Sequence, residues 1–322
     1  MTGSYVRLVF LLVQLFIGEV VNETHNSTSF FWNTHDPVPT NWFIEKHQLR
    51  NYGHLLRNKR IVFVGDSLTR YQYLNLVNFF HTNSWHKNVH PSLEVEGEWR
   101  SWKSFHLGGF LRFGCEEICD CYRDNAENGP WKENRHYYNV WLNLSIDVYL
   151  WLPEKNIRGN SAPNASEYHK LCSDWRSYLN YLSEYSPESE YTYNILDFFD
   201  KELKKLKPDV LVVNQGFWSL PSLRDTADTT YMKKFVSLAK GVSSRVVWKT
   251  TTSRCGINDT GIDTPTFRDS LRSLGVEIFD AFMITKDVAK LNSNVLRVCW
   301  DTLHYYPFVY RELNKMFLDF IV

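Results

Sequence analysis

Two short polar stretches carry the residues of this sequence that are best suited to covalent catalysis. Ser67 follows Gly-Asp in RIVFVGDSLTRYQY, residues 60 to 73, and Asp301 and His304 stand three residues apart in WDTLHYYPF, residues 300 to 308. A serine hydroxyl is hardly ionised at neutral pH, so it needs a histidine as base, and that histidine needs a carboxylate to fix its tautomer. The residue types therefore predict a Ser-His-Asp nucleophile if the two stretches meet in the fold.

A third stretch, DVLVVNQGFW at residues 209 to 218, adds Asn214 directly after an apolar run. A side-chain amide such as that of Asn214, like the backbone N–H of Ser67, can hold the oxyanion of a tetrahedral intermediate. Each stretch alone also has a simpler interpretation. Asp66 and Ser67 are good helix-capping residues, Asn214 suits a turn, and His304 could be a surface histidine capped by Asp301.

The elements that must position these residues follow from hydrophobic patterning. Short apolar runs of the kind found in buried parallel strands occur at residues 61–64, 148–152, 210–214, 245–250 and 276–280. Apolar residues recur at three-residue steps after Ser67, which predicts a helix there, and Pro307 suits the first turn of a final helix. The alternation predicts an α/β fold, a three-layer α/β/α sandwich with a mainly parallel sheet. Ser67 and Asn214 follow strands and should share the carboxyl edge of that sheet.

The amino-terminal region predicts entry into the secretory pathway. Arg7 precedes an apolar run from Leu8 to Ile17, which has the length of a signal-peptide core and is short for a membrane span. We expect a signal peptide at residues 1–20, a glycosylated lead-in at 21–41 and one catalytic domain at 42–322, with insertions at about 84–135 and 154–192. An uncleaved anchor is the alternative. After cleavage no stable membrane span is expected.

Five Asn-x-Ser/Thr sequons and six cysteines fit an oxidising lumen or the extracellular space. The sequons lie at Asn22, Asn26, Asn143, Asn164 and Asn258. The cysteines are Cys115, Cys119, Cys121, Cys172, Cys255 and Cys299. Six cysteines predict three disulfides, whose connectivity the sequence leaves open. The group CEEICDC could instead hold zinc, but its spacing is not that of a structural zinc site.

The balanced charge of the chain argues against nucleic acid as a partner. Lys plus Arg and Asp plus Glu both number 36, so no global charge attracts nucleic acid. We predict a monomer without metal or cofactor. Aromatic residues make up 16% of the chain, which agrees with a glycan substrate because aromatic faces stack on sugar rings.

The three stretches together resemble the SGNH/GDSL hydrolase superfamily, and within it the PC-esterase branch that includes the trichome-birefringence-like polysaccharide O-acetyltransferases. VFVGDSLTRYQ, with Arg70 and Gln72, is similar to the Gly-Asp-Ser-Leu-x-Arg block. VLVVNQGFW, with Gly216 and Trp218, is similar to the Asn-x-Gly-x-Trp block, and DTLHY is similar to the Asp-x-x-His block. The resemblance spans roughly residues 55 to 322.

The resemblance implies an SGNH-like fold with Ser67 as nucleophile, His304 as base, Asp301 as its orienting carboxylate and Asn214 as oxyanion donor. A further oxyanion N–H usually comes from a glycine, for which Gly108 and Gly109 are candidates, Gly109 foremost. The plant transferases carry a cysteine-rich segment before the Gly-Asp-Ser block, whereas all six cysteines here follow it. This departure weakens the transfer of the plant substrate to this chain.

The sequence thus predicts a secreted or lumenal O-acetyltransferase or acetylesterase that acts on a glycan through an acyl-enzyme. Three alternatives stay open at this stage. The chain could be an esterase for lipid or small esters, an inactive glycan-binding protein of the same fold, or a disulfide-rich structural surface protein.

Overall fold

The computed structural model describes residues 52–85, 113, 116–123, 131–152, 156–162, 166, 191–218, 229–292 and 298–322. Several predictions fall outside these residues and stay predictions. They concern the signal peptide, the lead-in segment, Asn22, Asn26, Asn164, Gly108, Gly109, Cys115 and Cys172.

The described residues form one seven-stranded sheet and one two-stranded sheet. The strands of the large sheet are β1 (Arg60–Gly65), β2 (Glu117–Arg123), β3 (Trp131–Asn139), β4 (Leu144–Leu150), β7 (Val210–Val213), β8 (Arg245–Lys249) and β9 (Glu277–Phe279), and those of the small sheet are β5 (Ile157–Gly159) and β6 (Tyr191–Tyr193). The order β2-β3-β4-β1-β7-β8-β9 places β1, which precedes Ser67, at the centre. Strands β4, β1, β7, β8 and β9 are parallel to their neighbours in this order, and β3 is antiparallel to both β4 and β2. The five predicted strands are all present.

Helices cover both faces of the large sheet. They are α1 (Tyr52–Leu55), α2 (Ser67–Thr82), α3 (Ile195–Phe198), α4 (Lys204–Leu206), α5 (Thr229–Val242), α6 (Pro265–Ser273), α7 (Ala281–Lys290) and α8 (Pro307–Ile321), with a π-helical segment at Phe199–Leu203. On one face Val62 and Val64 join a core cluster with Phe235 of α5. On the other face Phe63 contacts Phe317 of α8, with ring centroids 5.4 Å apart. Successive strand residues thus face opposite layers, which confirms the three-layer α/β/α prediction.

The range predicted as the first insertion contributes to the sheet. Strand β2 and the start of β3 lie within residues 84–135 and extend the sheet beyond β4. Buried ion pairs accompany the apolar packing there: Arg135 contacts Glu117 at 3.2 Å, and Arg70 of α2 contacts Glu133 at 2.6 Å. These pairs tie the edge strands to the helix that begins at Ser67. In the described residues, no helix combines the length and the apolar character needed to cross a membrane.

Candidate active site

The turn between β1 and α2 presents Ser67 at the carboxyl edge of the sheet. Strand β1 ends at Gly65, Asp66 is the N-cap, and Ser67 is the first residue of α2. The Asp66 carboxylate accepts hydrogen bonds from the N–H groups of Leu68 and Thr69, at 3.0 and 3.4 Å. The first N–H groups of a helix have no intrahelical acceptor, and these two bonds leave that of Ser67 available to an anionic group.

Gly65 and Gly216 permit the close approach of three chain segments at this turn. A Cβ at Gly65 would lie 2.4 Å from the Thr69 hydroxyl, and one at Gly216 would lie 1.7 Å from an Asp66 carboxylate oxygen. Gly216 also has φ +64°, in the left-handed region that favours glycine. The sequence left Gly216 without a role, and the structure places it directly against the N-cap of the nucleophile helix.

His304 and Asp301 lie on the loop before α8 and are joined by their side chains. Asp301 Oδ2 is 2.7 Å from His304 Nδ1, and Oδ1 accepts hydrogen bonds of 2.7 Å from the backbone N–H groups of Leu303 and His304. Partial burial raises the pKa of Asp301, but the hydrogen bonds from His304 and Leu303 outweigh burial and lower this pKa to about 2. The carboxylate therefore stays ionised above about pH 3 and can only accept, which places the histidine proton on Nδ1.

Ser67 completes a linear chain of hydrogen bonds. Its Oγ lies 2.8 Å from His304 Nε2, although the two residues are 237 positions apart in the sequence. With the proton on Nδ1, Nε2 has a lone pair directed at the serine hydroxyl. The structure thus brings Ser67, His304 and Asp301 together in the order that nucleophilic catalysis requires.

Aromatic side chains fix the plane of the His304 ring. Trp300 stacks on it with centroids 5.6 Å apart and an interplanar angle of 23°, and Tyr71 meets it edge-on at 5.3 Å. The indole N–H of Trp300 also donates to Asp301 at 3.1 Å. Sequence reasoning missed both aromatic residues. The three-residue apolar spacing after Ser67 includes Tyr71 and predicts a buried helix face there, but it does not indicate a contact with the distant loop.

A disulfide anchors the same loop. Cys299, two residues before Asp301, is bonded to Cys255 in the segment after β8. The Cys255 N–H donates to the carbonyl of Thr302 at 2.9 Å, and the Tyr305 hydroxyl donates to the carbonyl of Ser253. The loop that carries the acid-base pair is therefore attached to the neighbouring strand end by covalent and hydrogen bonds.

Asn214 is fully buried at the end of β7, and both polar atoms of its side chain are hydrogen-bonded. Its amide nitrogen donates to the carbonyl of Lys249 at 2.9 Å and to the Thr251 hydroxyl at 3.2 Å, and its oxygen accepts from the Thr69 hydroxyl at 3.3 Å. In this arrangement Asn214 ties β7 to β8 and to the nucleophile helix. Its predicted role as an oxyanion donor requires one of these bonds to exchange when substrate binds, and it stays a prediction.

Lys249 is a buried cation beneath the site that sequence reasoning missed. Its side chain has no exposed surface, and its Nζ has no hydrogen-bond partner in the described part of the chain. Burial lowers its pKa, while the nearby carboxylates of Asp66 and Asp263 raise it, and the net result is a pKa of about 8. The apolar pattern of RVVWKT gave no sign that the lysine side chain is directed into the protein.

The segments that follow β7 and β8 carry Trp218 and Arg254. Trp218, after β7, is 40% exposed. The half-exposed guanidinium of Arg254 lies over the Phe217 ring at 5.5 Å and is paired with the buried carboxylate of Asp259 at 3.3 Å. An indole face and a fixed cation therefore stand on the segments that flank the Ser67 turn.

Two disulfides and two sequons fall within the described residues. Cys119 bonds to Cys121, and Cys255 bonds to Cys299. The first pair uses two of the three thiols of CEEICDC, so those thiols are not zinc ligands in this structure. Asn143 and Asn258 are both exposed in loops, as glycosylation requires.

No protein-family model matches the chain, and no curated protein matches it significantly in sequence. Among solved structures the chain is similar to Axe2, an acetylxylan esterase from Geobacillus stearothermophilus, at 11% identity and a TM-score of 0.34, over 83% of this chain and 95% of that one. It is also similar to a peptidoglycan O-acetylesterase at 9% identity and a TM-score of 0.39, over 84% and 92% of the two chains. Similarity of this degree supports no conclusion about activity, which we take from the site geometry.

Proposed function

We propose that this protein is a serine-dependent acyl-ester enzyme, an acetylesterase or O-acetyltransferase that acts on a glycan. The observation that carries the proposal is the relay from Ser67 to His304 to Asp301, with donor-acceptor distances of 2.8 and 2.7 Å. The resemblance of the three sequence blocks to SGNH/GDSL hydrolases of the PC-esterase branch supports the same chemistry.

In the first half-reaction Ser67 Oγ attacks the carbonyl carbon of the ester while His304 Nε2 takes the hydroxyl proton. Asp301 stabilises the imidazolium that forms and keeps it oriented. The oxyanion develops beside the N-terminus of α2, where the Ser67 N–H can donate to it. His304 then protonates the leaving alkoxide, and an acyl group remains on Ser67.

In the second half-reaction an acceptor hydroxyl attacks the acyl-enzyme, and His304 acts again as base and then as acid. Water as acceptor gives an esterase, and a sugar hydroxyl gives an O-acetyltransferase. The reaction is transfer if the site binds and orients the sugar hydroxyl and excludes water, and hydrolysis if water reaches the acyl-enzyme first.

Aromatic side chains near the active-site strands support a glycan as substrate. Trp218 offers a partly exposed indole face, and the planar stack of Trp300 on His304 borders the reacting atoms. Aromatic faces of this kind bind the apolar faces of sugar rings. We propose a secretory-pathway location for the protein, on the basis of the signal-like segment and the sequons.

An inactive binding protein of the same fold is disfavoured. A pseudoenzyme has no chemical use for a serine, a histidine and a carboxylate aligned in hydrogen-bonded order, and all three are retained here.

The test is acetate release and acetate transfer, both followed by mass. Purified protein is incubated with acetylated glycans, and separately with unacetylated glycans plus an acyl donor. Ser67→Ala and His304→Ala should lower turnover by roughly 10³- to 10⁶-fold without loss of fold, and Asp301→Asn should be milder. Ser270→Ala, on the exposed surface of α6, is the matched control and should keep full activity. Turnover that survives Ser67→Ala contradicts the proposal.

A further inference from the structure

The turn between β3 and β4 carries the most exposed large apolar side chain in the described residues. Trp141 is 80% exposed, and its neighbour Val140 is 42% exposed. The turn lies at the sheet edge opposite the active site, because Ser145, just after it, pairs with Arg60 at the start of β1, whereas Ser67 follows the end of that strand. A tryptophan this exposed on a β-hairpin is a candidate contact for a ligand.

Asn143 occupies the same turn, two residues after Trp141, and begins the sequon Asn143-Leu144-Ser145. It is exposed, with φ +48°, a left-handed conformation common for asparagine in turns. Its amide nitrogen donates to the Asn58 side-chain oxygen at 2.9 Å, and its oxygen accepts from the Tyr138 hydroxyl at 2.9 Å. The amide group is therefore held in one orientation at the surface.

The geometry leaves room for a sugar on this amide. N-glycosylation replaces one of the two amide hydrogens, so the bond to Asn58 can persist through the other. Two residues of chain span at most about 7 Å, which is within reach of a pyranose ring attached to the asparagine. The two hydrogen bonds already fix the Asn143 amide, so less conformational entropy is lost when a sugar on this amide contacts Trp141.

We propose that Asn143 is a glycosylated residue whose first sugar packs its apolar face on the indole of Trp141. The donor is an oligosaccharide linked to a lipid diphosphate. The bond from its anomeric carbon to the diphosphate oxygen breaks, the bond from that carbon to Asn143 Nδ2 forms, the diphosphate leaves with the electron pair, and one amide proton is released. The glycan then covers an apolar surface that the folded chain leaves open.

Asn258 is an internal comparison. It is also exposed and begins a sequon, but Gly256, Ile257, Asp259 and Thr260 surround it and provide no aromatic ring. A glycan at Asn258 has no indole within two residues to pack on. The stabilisation expected at Asn143 should therefore be absent at Asn258.

The experiment uses the full chain secreted from a eukaryotic host, as wild type, Ser145→Ala, Trp141→Ala and the double variant. Ser145→Ala removes the sequon and leaves Asn143 and its two hydrogen bonds in place. Peptide mapping should find a glycan on Asn143 in the wild type. Hydroxyl-radical labelling of Trp141 should be at least about threefold slower in the wild type than in Ser145→Ala, while labelling of Trp218, at the opposite edge, should be equal in both.

Stability provides the second readout. Trp141→Ala should raise the unfolding equilibrium constant roughly 2- to 10-fold when Asn143 is glycosylated, the range of a favourable aromatic contact, and leave it unchanged in the Ser145→Ala background. Removal of the whole glycan from folded wild-type protein by an amidase, which hydrolyses the Asn143 amide to Asp and releases the glycan as its glycosylamine, should expose Trp141 to labelling. This test does not depend on any variant folding. An unmodified Asn143 in the secreted wild type, or equal labelling of Trp141 with and without the glycan, overturns the proposal.

Discussion

Gly216→Ala should lower both catalytic activity and stability, although Gly216 is not a member of the Ser-His-Asp triad. A Cβ at this position would lie 1.7 Å from an Asp66 carboxylate oxygen and 2.2 Å from its Cγ, so Asp66 must move. The left-handed backbone of Gly216 costs a non-glycine residue about 1–2 kcal/mol, and loss of the Asp66 cap costs about 0.5–2 kcal/mol more. The free energy of unfolding should fall by about 1.5–4 kcal/mol.

The effect on catalysis should be larger than the effect on stability. Ser67 is adjacent to Asp66, and a displacement of about 1 Å in a reacting group costs roughly 100-fold in rate. The folded Gly216→Ala protein should therefore lose about 100-fold in kcat/KM for an acetyl ester, with urea unfolding measured on the same preparation.

Gly256→Ala is the matched control. Gly256 has φ +73°, similar to that of Gly216, but a Cβ there meets nothing within 4 Å. Gly256→Ala should show only the backbone cost, about 1–2 kcal/mol, with kcat/KM unchanged. If Gly216→Ala is as mild as Gly256→Ala in both assays, the contact with Asp66 does not position the nucleophile.

Three further predictions concern buried groups around the site. Lys249→Met should change the pH dependence of stability. The pKa of Lys249 is about 8 in the folded chain against 10.5 as its ordinary value. Between these pH values the unfolded chain binds a proton that the folded chain has lost, so raising the pH favours the folded state. In urea titrations from pH 7 to 10.5, the free energy of unfolding of the wild type should rise relative to that of Lys249→Met by up to about 3 kcal/mol. Parallel curves for the two proteins would contradict this. Asn214→Ala should lower kcat by roughly 10²- to 10³-fold if the Asn214 amide donates to the oxyanion. An unchanged kcat would show that Asn214 only connects β7 to β8 and to the nucleophile helix. Replacing Cys255 and Cys299 together by serine should lower the free energy of unfolding by about 2–4 kcal/mol and reduce kcat, and full activity at reduced stability would show that the loop holds its geometry without the disulfide.

The sequence predicts correctly those strands whose apolar residues are also the residues that the fold buries. The runs at 61–64 and 210–214 became central strands because continuous β-branched residues satisfy both faces of a parallel sheet. Strands β2 and β3 were missed because their buried positions hold charged residues such as Glu117 and Arg135. A sequence pattern shows a charge but not the distant partner that makes its burial tolerable.

The same reasoning explains what was found and missed at the site. Ser67, Asp301 and His304 were identified because nucleophilic catalysis restricts their residue types and the strand ends restrict their place. The Asn214 amide donates to the Lys249 carbonyl and the Thr251 hydroxyl, at the end of β8 and just after it, and no local pattern predicts these bonds.

The most direct measurement is labelling of the folded protein by a serine-reactive fluorophosphonate, with the modified residue mapped by peptide mass. We expect a single adduct on Ser67, lost in Ser67→Ala, strongly slowed in His304→Ala and unchanged in Ser270→Ala. Labelling that persists in Ser67→Ala, or a folded wild type that never reacts, would contradict a nucleophile at Ser67.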